Sequence, residues 1–203
     1  MDQAITLFFN GSHSLYLDAF AWSATHIQVW IPFLLVIVYV LFKEHDFAHF
    51  FFIIGAAIFC VVISDPLIAR WRPTHNPQIM HLTDIVAGYR GGYFGFFSSH
   101  AANTFSIATF LSLIFRDRNV YISLFCWALF NCWTRIYLGV HYMTDLLVGA
   151  LWGSMIAFLA FRVYRHYFND ATTYAYPRKV LNYIPLVFII TLCILATPWR
   201  LIY

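Results

Sequence analysis

Six stretches of the chain carry no Asp, Glu, Lys or Arg and are rich in large apolar side chains. They cover residues 19–42, 47–64, 91–115, 119–134, 146–161 and 180–199. A helix needs about 20 mostly apolar residues to cross the hydrocarbon core of a bilayer. The pattern therefore predicts six membrane helices, at about residues 26–42, 47–68, 99–115, 119–138, 142–165 and 180–198. We expect an all-α integral membrane bundle of six helices that forms one domain over residues 1–203.

Two of these stretches, 119–134 and 146–161, are too short to cross a bilayer alone. They become long enough if the neighbouring charged residues, Arg135 and Asp145, also belong to the helices. A charge at membrane depth is costly, so both residues are candidates for function. Residues 1–22 mix aromatic and polar side chains, and this mixture predicts an interfacial segment rather than a further span.

Composition agrees with a membrane protein. Of the 203 residues, 62% are apolar and 10% are charged, whereas soluble domains have about 25% charged residues. A soluble globule, a disordered chain and a disulfide scaffold are excluded. The net charge of +3 forms no basic stripe, so we expect no nucleic-acid partner. The four cysteines lie in apolar stretches without CxxC spacing and are interpreted as buried thiols.

The basic residues indicate the orientation of the chain. Seven fall in short loops and helix ends on one side of the predicted bundle: Lys43, Arg116, Arg118, Arg162, Arg165, Arg178 and Lys179. The other side carries five, namely Arg70, Arg72, Arg90, Arg135 and Arg200. The positive-inside rule places the first group in the cytoplasm and the long polar insert at residues 69–98 outside.

Three polar clusters are predicted at helix ends on this outer side. They are Arg72-Pro73, then Phe97-Ser98-Ser99-His100, and then Thr134-Arg135 followed by His141 and Asp145. Membrane topology alone brings the three clusters to one depth, although they are far apart in sequence. On the fifth predicted helix, Gly149 and Gly153 form a Gly-x3-Gly pattern, which we interpret as close packing inside the bundle.

The residue types in these clusters suit an anionic substrate. Arginine presents a rigid fork of donors that matches phosphate oxygens, and residues 98–100 open a helix whose free N–H groups favour an anion. His141 and Asp145 are four residues apart and share a helix face, so the carboxylate can orient the imidazole. The other ring nitrogen can then act as nucleophile or base. A second imidazole, His100, is suited to protonating a leaving oxygen. Together these features indicate phosphoryl transfer.

The same clusters resemble the type 2 phosphatidic acid phosphatase (PAP2) family. The family pattern is Lys-x6-Arg-Pro, Pro-Ser-Gly-His and Ser-Arg-x5-His-x3-Asp, and it corresponds here to residues 65–145. The resemblance implies that His141 is the nucleophile, that Asp145 orients it, and that His100 is the general acid and base. It also implies a metal-independent reaction without a cofactor. The residues that it assigns to phosphate binding are Arg72, Arg135, Ser98 and Ser99.

The chain departs from the family pattern at several positions. Asp65 stands where the family has lysine, and an acidic group beside a phosphate would repel it. Three explanations of this difference are considered. Arg70 or Arg90 supplies the positive charge of the missing lysine, or Asp65 points away from the phosphate and pairs with an arginine, or the chain has reduced activity. The sequence leaves these three alternatives open. The other departures are Phe97 for proline, Ser99 for glycine and, as the mildest, Thr134 for serine.

These features predict a phosphatase that acts on a lipid phosphate or diphosphate, with membrane lipids as its other partners. We expect it in a bacterial cytoplasmic membrane with the active site facing the periplasm or the outside. The substrate expected first is undecaprenyl diphosphate, with lipid A second, then phosphatidylglycerophosphate and phosphatidate. A phosphotransferase that uses the same residues and a non-catalytic lipid binder, which Asp65 favours, are the alternatives.

Overall fold

The computed structural model describes residues 1–11, 14–43, 47–63, 68–167 and 176–197, and Asp65 therefore lies outside the described residues. The described part is mostly helical. Its helices are α1 (Asp2–Phe9), α2 (Leu15–Ala24), α3 (Ile27–Lys43), α4 (Phe47–Ile63), α5 (Ser99–Phe115), α6 (Arg118–Tyr137), α7 (Met143–Tyr167), α8 (Arg178–Leu181) and α9 (Tyr183–Leu195). A helix is present at each of the six predicted positions.

Helix α5 lies at the centre of the fold and packs most extensively against α7, then against α6 and α4. Two glycines of α7 allow the close approach of α5. A Cβ atom on Gly149 would lie 2.6 Å from the carbonyl oxygen of Ser98, and one on Gly153 would overlap the carbonyl oxygen of Ala102. The interpretation of the Gly-x3-Gly pattern as close internal packing is therefore confirmed.

An aromatic cluster joins α3, α6 and α9. Trp30 and Phe33 of α3 contact Trp127 of α6, with ring centroids 6.3 and 5.6 Å apart. Phe188 of α9 lies 5.4 Å from the Phe33 ring. All four side chains are at most 7% exposed. Aromatic rings at these separations stabilise a fold beyond the contribution of their buried area, so the cluster holds α3, α6 and α9 together.

The insert that follows α4 contains a two-stranded antiparallel sheet, which the all-α prediction missed. Strand β1 (Ile68–Trp71) pairs with β2 (Phe94–Phe96). The second predicted span, residues 47–68, was also too long, because Ile68 belongs to the strand; the described part of α4 is Phe47–Ile63. Aromatic and β-branched residues favour a pleated arrangement here. Residues two apart on an extended segment point the same way, so Arg70 and Arg72 both reach the turn between α6 and α7.

Within the described ranges, two helical segments are long and apolar enough to cross a membrane, namely Met143–Tyr167 and Arg178–Leu195. The pair α2 and α3, bent by 48° at its break, would be a third if it forms one span. Helices α3, α4 and α5 have 17 residues each, fewer than the roughly 20 that a crossing needs. Length and composition of the described helices thus support two or three crossings, and the predicted six are not established. The predicted interfacial segment forms α1 and most of α2. Cys126 and Cys193 are exposed on the surface of the described helices, so their interpretation as buried thiols was wrong.

Candidate active site

The three polar clusters of the sequence meet in one place. His141 lies in the short turn between α6 and α7, and Arg72 follows strand β1. The Nη1 atom of Arg72 is 2.7 Å from Nε2 of His141. His100, in the first turn of α5, lies within electrostatic range of both residues and of Arg135. The chain fold thus places two imidazoles and two guanidinium groups around one centre.

The surroundings of His141 define which ring nitrogen carries the proton. A guanidinium group can only donate, so Nε2 of His141 accepts from Arg72 and holds the lone pair. The proton of the neutral ring is then on Nδ1, which faces Asp145 Oδ2 at 3.7 Å, beyond hydrogen-bond distance. The side chain is 2% exposed. Burial, and next the positive charges of Arg72 and Arg135, hold the pKa of His141 well below its usual value. The neutral, nucleophilic form of the ring is therefore favoured.

The backbone fixes Arg72 from two sides. Its Nε atom donates to the carbonyl oxygen of Phe94 at 2.9 Å, and its Nη1 atom also donates to the carbonyl oxygen of Val140 at 3.0 Å. Glycine at position 95 is required for this arrangement, because a Cβ atom there would lie 2.9 Å from Cγ of Arg72. The guanidinium group is thus fixed before any substrate binds, which reduces the cost of ordering it.

Arg135 is buried in the last turn of α6 and is 3% exposed. Its Nη1 atom donates to the hydroxyl oxygen of Thr25 at 2.5 Å, and its Nη2 atom donates to the hydroxyl of Tyr89 at 3.2 Å. The guanidinium carbon also lies 5.7 Å from the centre of the Tyr89 ring. Among the described residues, its Nε atom has no acceptor. An anion at this centre would satisfy that donor and the positive charge.

Asp145 is held by a network that the sequence did not suggest. Its Oδ2 atom accepts from the backbone N–H of Tyr142 at 2.9 Å, and its Oδ1 atom accepts from Nη1 of Arg70 at 2.5 Å. Arg70 in turn donates to Asp2 Oδ2 at 2.6 Å and to Thr144 Oγ1 at 2.6 Å. The carboxylate that faces His141 is therefore fixed by both its backbone and its ion-pair contacts.

Asp2 extends this network to the N-terminal helix. Its Oδ1 atom accepts from the backbone N–H of Thr144 at 3.2 Å, in the first turn of α7. Burial acts to raise the pKa of Asp2, but hydrogen bonds from Thr144 and Arg70 lower it below its usual value. The predicted auxiliary residue Arg70 thus binds two carboxylates. These contacts speak against the alternative in which Arg70 supplies the charge of the missing family lysine, because its guanidinium group is already bound to two carboxylates.

Ser98 and Ser99, the two serines predicted to bind phosphate, make different contacts. Ser98 is fully buried, caps α5 by accepting from Ala101 N–H at 3.4 Å, and donates its own N–H to the carbonyl oxygen of Asp145 at 3.1 Å. It therefore joins the starts of α5 and α7. Within the described part of the chain, the backbone N–H groups of Ser99 and His100 have no acceptor, as expected at a helix N-terminus that can receive an anion.

Two further predicted residues lie away from the imidazoles. Thr134 is buried and donates its hydroxyl to the carbonyl oxygen of Asn131 at 2.7 Å. Arg90 is exposed and donates to the carbonyl oxygen of Thr74 at 3.4 Å. Burial, and then the charges of Arg90 and Arg72, lower the pKa of the neighbouring His75. Arg90 thus lies at the rim, where its charge still acts on the edge of the site.

No group of three His, Cys, Asp or Glu side chains that could hold a metal ion occurs within the described ranges. The arrangement instead offers arginine donors, a helix N-terminus, one buried imidazole whose Nε2 lone pair accepts from Arg72, and a second imidazole beside it. This set of groups can bind a phosphate, attack its phosphorus and protonate the departing oxygen. The site is that of a phosphoryl-transfer enzyme.

Comparison with known proteins agrees with this class. The model of the PAP2 superfamily matches residues 46–170, and the chain belongs to this family. A lipid A 4'-phosphatase of Bacteroides thetaiotaomicron is 40% identical over 163 residues, which cover 75% of this chain and 72% of the relative. A lipid A 4'-phosphatase of Porphyromonas gingivalis is 31% identical over 172 residues, or 81% and 73% of the two chains. No solved structure matches the chain.

These comparisons confirm the family resemblance, and they confirm that the chain is a phosphatase. The non-catalytic alternative that Asp65 favoured gains no support from them. Together with the apolar helices, the relatives also identify the chain as a membrane protein. The roles of the individual site residues remain predictions.

Proposed function

We propose that this phosphatase removes a phosphate group from lipid A. The names and the identity of the two bacterial relatives support this substrate. Undecaprenyl diphosphate, which the sequence placed first, gains no support from them, whereas the second choice, lipid A, fits. The PAP2 region supplies the phosphoryl chemistry, and the relatives indicate the lipid that carries the phosphate.

The contact between Arg72 and His141 carries the mechanism. Because Nε2 of His141 holds the lone pair and lies 2.7 Å from the guanidinium group, a phosphate bound to Arg72 would have its phosphorus beside the nucleophile. In the first step, the Nη1–H of Arg72 turns from Nε2 to an oxygen of the bound phosphate, the freed lone pair of Nε2 attacks phosphorus, and the ester bond to the leaving oxygen breaks. Asp145, on the Nδ1 side of the ring, stabilises the positive charge that develops on the imidazole.

His100 completes both halves of the reaction. It gives a proton to the leaving sugar oxygen while the phosphohistidine forms. It then takes a proton from the water that attacks this intermediate, and free phosphate and neutral His141 are regenerated. Arg72 and Arg135 stabilise the negative charge on the phosphate oxygens, together with the free N–H groups of Ser99 and His100. No step requires a metal ion.

Arg70 acts as a positioning residue in this proposal. It binds Asp145 Oδ1 directly, and its other contacts are to Asp2 and Thr144. Its charge therefore holds the Asp145 carboxylate in place while Oδ2 remains directed at His141. The expected membrane location is the outer face of a bacterial cytoplasmic membrane, because the basic residues favour the opposite face as cytoplasmic.

The test is phosphate release by the purified full chain in detergent. The substrates are lipid A with two phosphates, undecaprenyl diphosphate, phosphatidylglycerophosphate and phosphatidate, each with and without EDTA. We expect the highest kcat/KM on lipid A and no effect of EDTA. Mass spectrometry of the product then identifies which phosphate has been removed. A higher kcat/KM on undecaprenyl diphosphate, or loss of activity in EDTA, would contradict the proposal.

A further inference from the structure

A cleft of about 500 Å³ opens beside the catalytic centre, between α3, α5 and α6. His100 and Ser99 form one end of it. The amide side chains of Gln28, Asn103 and Asn131 also line it, among apolar side chains such as Leu34 and Ile107. We refer to it as the polar cleft.

Two polar atoms of the residues that line this cleft have no protein partner. Trp127 is 2% exposed, and its Nε1 atom has no acceptor among the described residues. The same is true of Asn103, whose buried Oδ1 atom has no donor within the described ranges. A buried polar atom without a hydrogen bond costs about 1–3 kcal/mol. Atoms of this kind next to an active site are those that a polar ligand would satisfy.

The helical spacing places two of the residues that line the cleft, Asn103 and Asn131, next to the phosphate-binding centre. Asn103 follows His100 by three residues on α5, and Asn131 precedes Arg135 by four residues on α6, so each pair shares a face of its helix. The separations along the helix axes are about 5–6 Å. A group that lies in the cleft would therefore be attached closely to the phosphate, rather than form a distant part of the substrate.

A second cavity has the opposite character. It has a volume of about 250 Å³ and is lined almost entirely by apolar side chains of α6, α7 and α1, including Leu129, Ile136 and Phe9. Such a surface suits a hydrocarbon chain, which needs no hydrogen bonds. The polar cleft, with its unsatisfied donor and acceptor, is unsuited to that role.

We propose that the polar cleft binds the sugar ring that carries the scissile phosphate, with its hydroxyl and amide substituents. Nε1 of Trp127 donates to a hydroxyl or amide oxygen of the ring, and Oδ1 of Asn103 accepts from a hydroxyl or an amide N–H. A phosphate on polyprenol brings hydrocarbon to these atoms and leaves both unpaired, whereas one on diacylglycerol brings ester oxygens, which cannot donate to Oδ1 of Asn103. Sites of this kind discriminate strongly against the analogue that lacks the polar group. This inference rests on the proposed function and assigns the residues that select its substrate.

The test compares two substrates in two variants. Asn103→Leu removes the acceptor, and Trp127→Phe removes the N–H donor while it keeps an aromatic ring in the cluster. For each variant, kcat/KM is measured on lipid A and on phosphatidate, and the ratio of the two values is compared with that of the unmodified chain. Asn119→Leu is the matched control, because Asn119 is exposed at the other end of α6.

We expect the ratio to fall about 10-fold in each variant and to stay unchanged in Asn119→Leu. An unchanged ratio in both cleft variants, with lipid A still hydrolysed by the unmodified chain, would overturn the role of the cleft alone. Absence of phosphate release from lipid A by the unmodified chain would overturn the proposed function and this inference together. Thermal melting identifies a variant that fails to fold, and the other variant then decides the result.

Discussion

Two groups of polar side chains beside the catalytic centre, the ion-pair network around Asp145 and the residues of the polar cleft, differ in how they are satisfied. In the ion-pair network, Asp2, Arg70 and Asp145 are joined by short ion pairs of 2.5–2.6 Å. In the polar cleft, Asn103 of α5 and Trp127 of α6 have buried polar atoms that no described residue satisfies. A satisfied network fixes geometry, whereas unsatisfied atoms are available to a ligand. The comparison therefore separates residues that position the nucleophile from residues that contact the substrate.

The largest effect should come from the nucleophile. His141→Ala removes the atom that attacks phosphorus, so kcat should fall by at least about 10³-fold. Phosphate release from lipid A measures this loss. The control is His166→Ala, because His166 is exposed at the far end of α7 and should not affect turnover. Near-normal kcat in His141→Ala would exclude a phosphohistidine intermediate.

A smaller effect is expected at Arg135, which is buried between Thr25 and Tyr89. Lysine keeps the charge but cannot reproduce the planar fork of donors, so Arg135→Lys should lower kcat/KM by about 10²-fold. The exposed Arg162 provides the matched control, Arg162→Lys, with expected normal activity. If both variants hydrolyse lipid A equally well, Arg135 supplies only general charge and makes no specific contact with the phosphate.

Arg70 provides the sharpest test of the comparison. If it only fixes Asp145, Arg70→Ala should lower kcat by about 10-fold with little change in KM, and Arg70→Lys should recover part of the loss. If Arg70 replaces the family lysine and contacts the phosphate, KM should rise instead. Steady-state kinetics on lipid A distinguish the two results. Arg118→Ala, at the exposed start of α6, is the control with no expected change.

Much of this arrangement could be predicted from the sequence. Apolar runs place the six helices, and the fixed spacing from Arg135 to His141 and Asp145 brings these residues together in one turn. The contact of Asp2 with Thr144 spans 142 residues and depends on how α1 docks, which no local pattern encodes. The small sheet was missed for a similar reason, since its two short strands are separated by more than 20 residues.

The residues of the polar cleft did leave a signal that was overlooked. Asn103 and Asn131 are spaced from His100 and Arg135 by one helical turn, so their helices carry a polar face into the bundle. Polar residues at these positions of an apolar helix are costly and therefore indicate a contact. The signal is weak by itself, because a buried asparagine can also bind backbone carbonyls, as Asn131 does with Trp127 at 2.9 Å.

The smallest effect on turnover is expected from a substitution in the packing interface between α5 and α7. A Cβ atom at Gly153 would overlap the Ala102 carbonyl, so Gly153→Ala should push the helices apart and destabilise the fold by on the order of 2 kcal/mol. Because α5 carries His100 and α7 carries Asp145, kcat should also fall by a few-fold. Thermal melting and phosphate release measure the two effects.

The matched control for Gly153→Ala is Gly55→Ala on α4, where an added Cβ atom meets nothing within 4 Å. Alanine favours a helix more than glycine does, so this variant should melt no lower than the unmodified chain. Equal melting of the two variants would mean that α5 and α7 adjust freely to the added methyl group. The close packing of α5 and α7 would then not be what holds His100 and Asp145 at a fixed distance from each other.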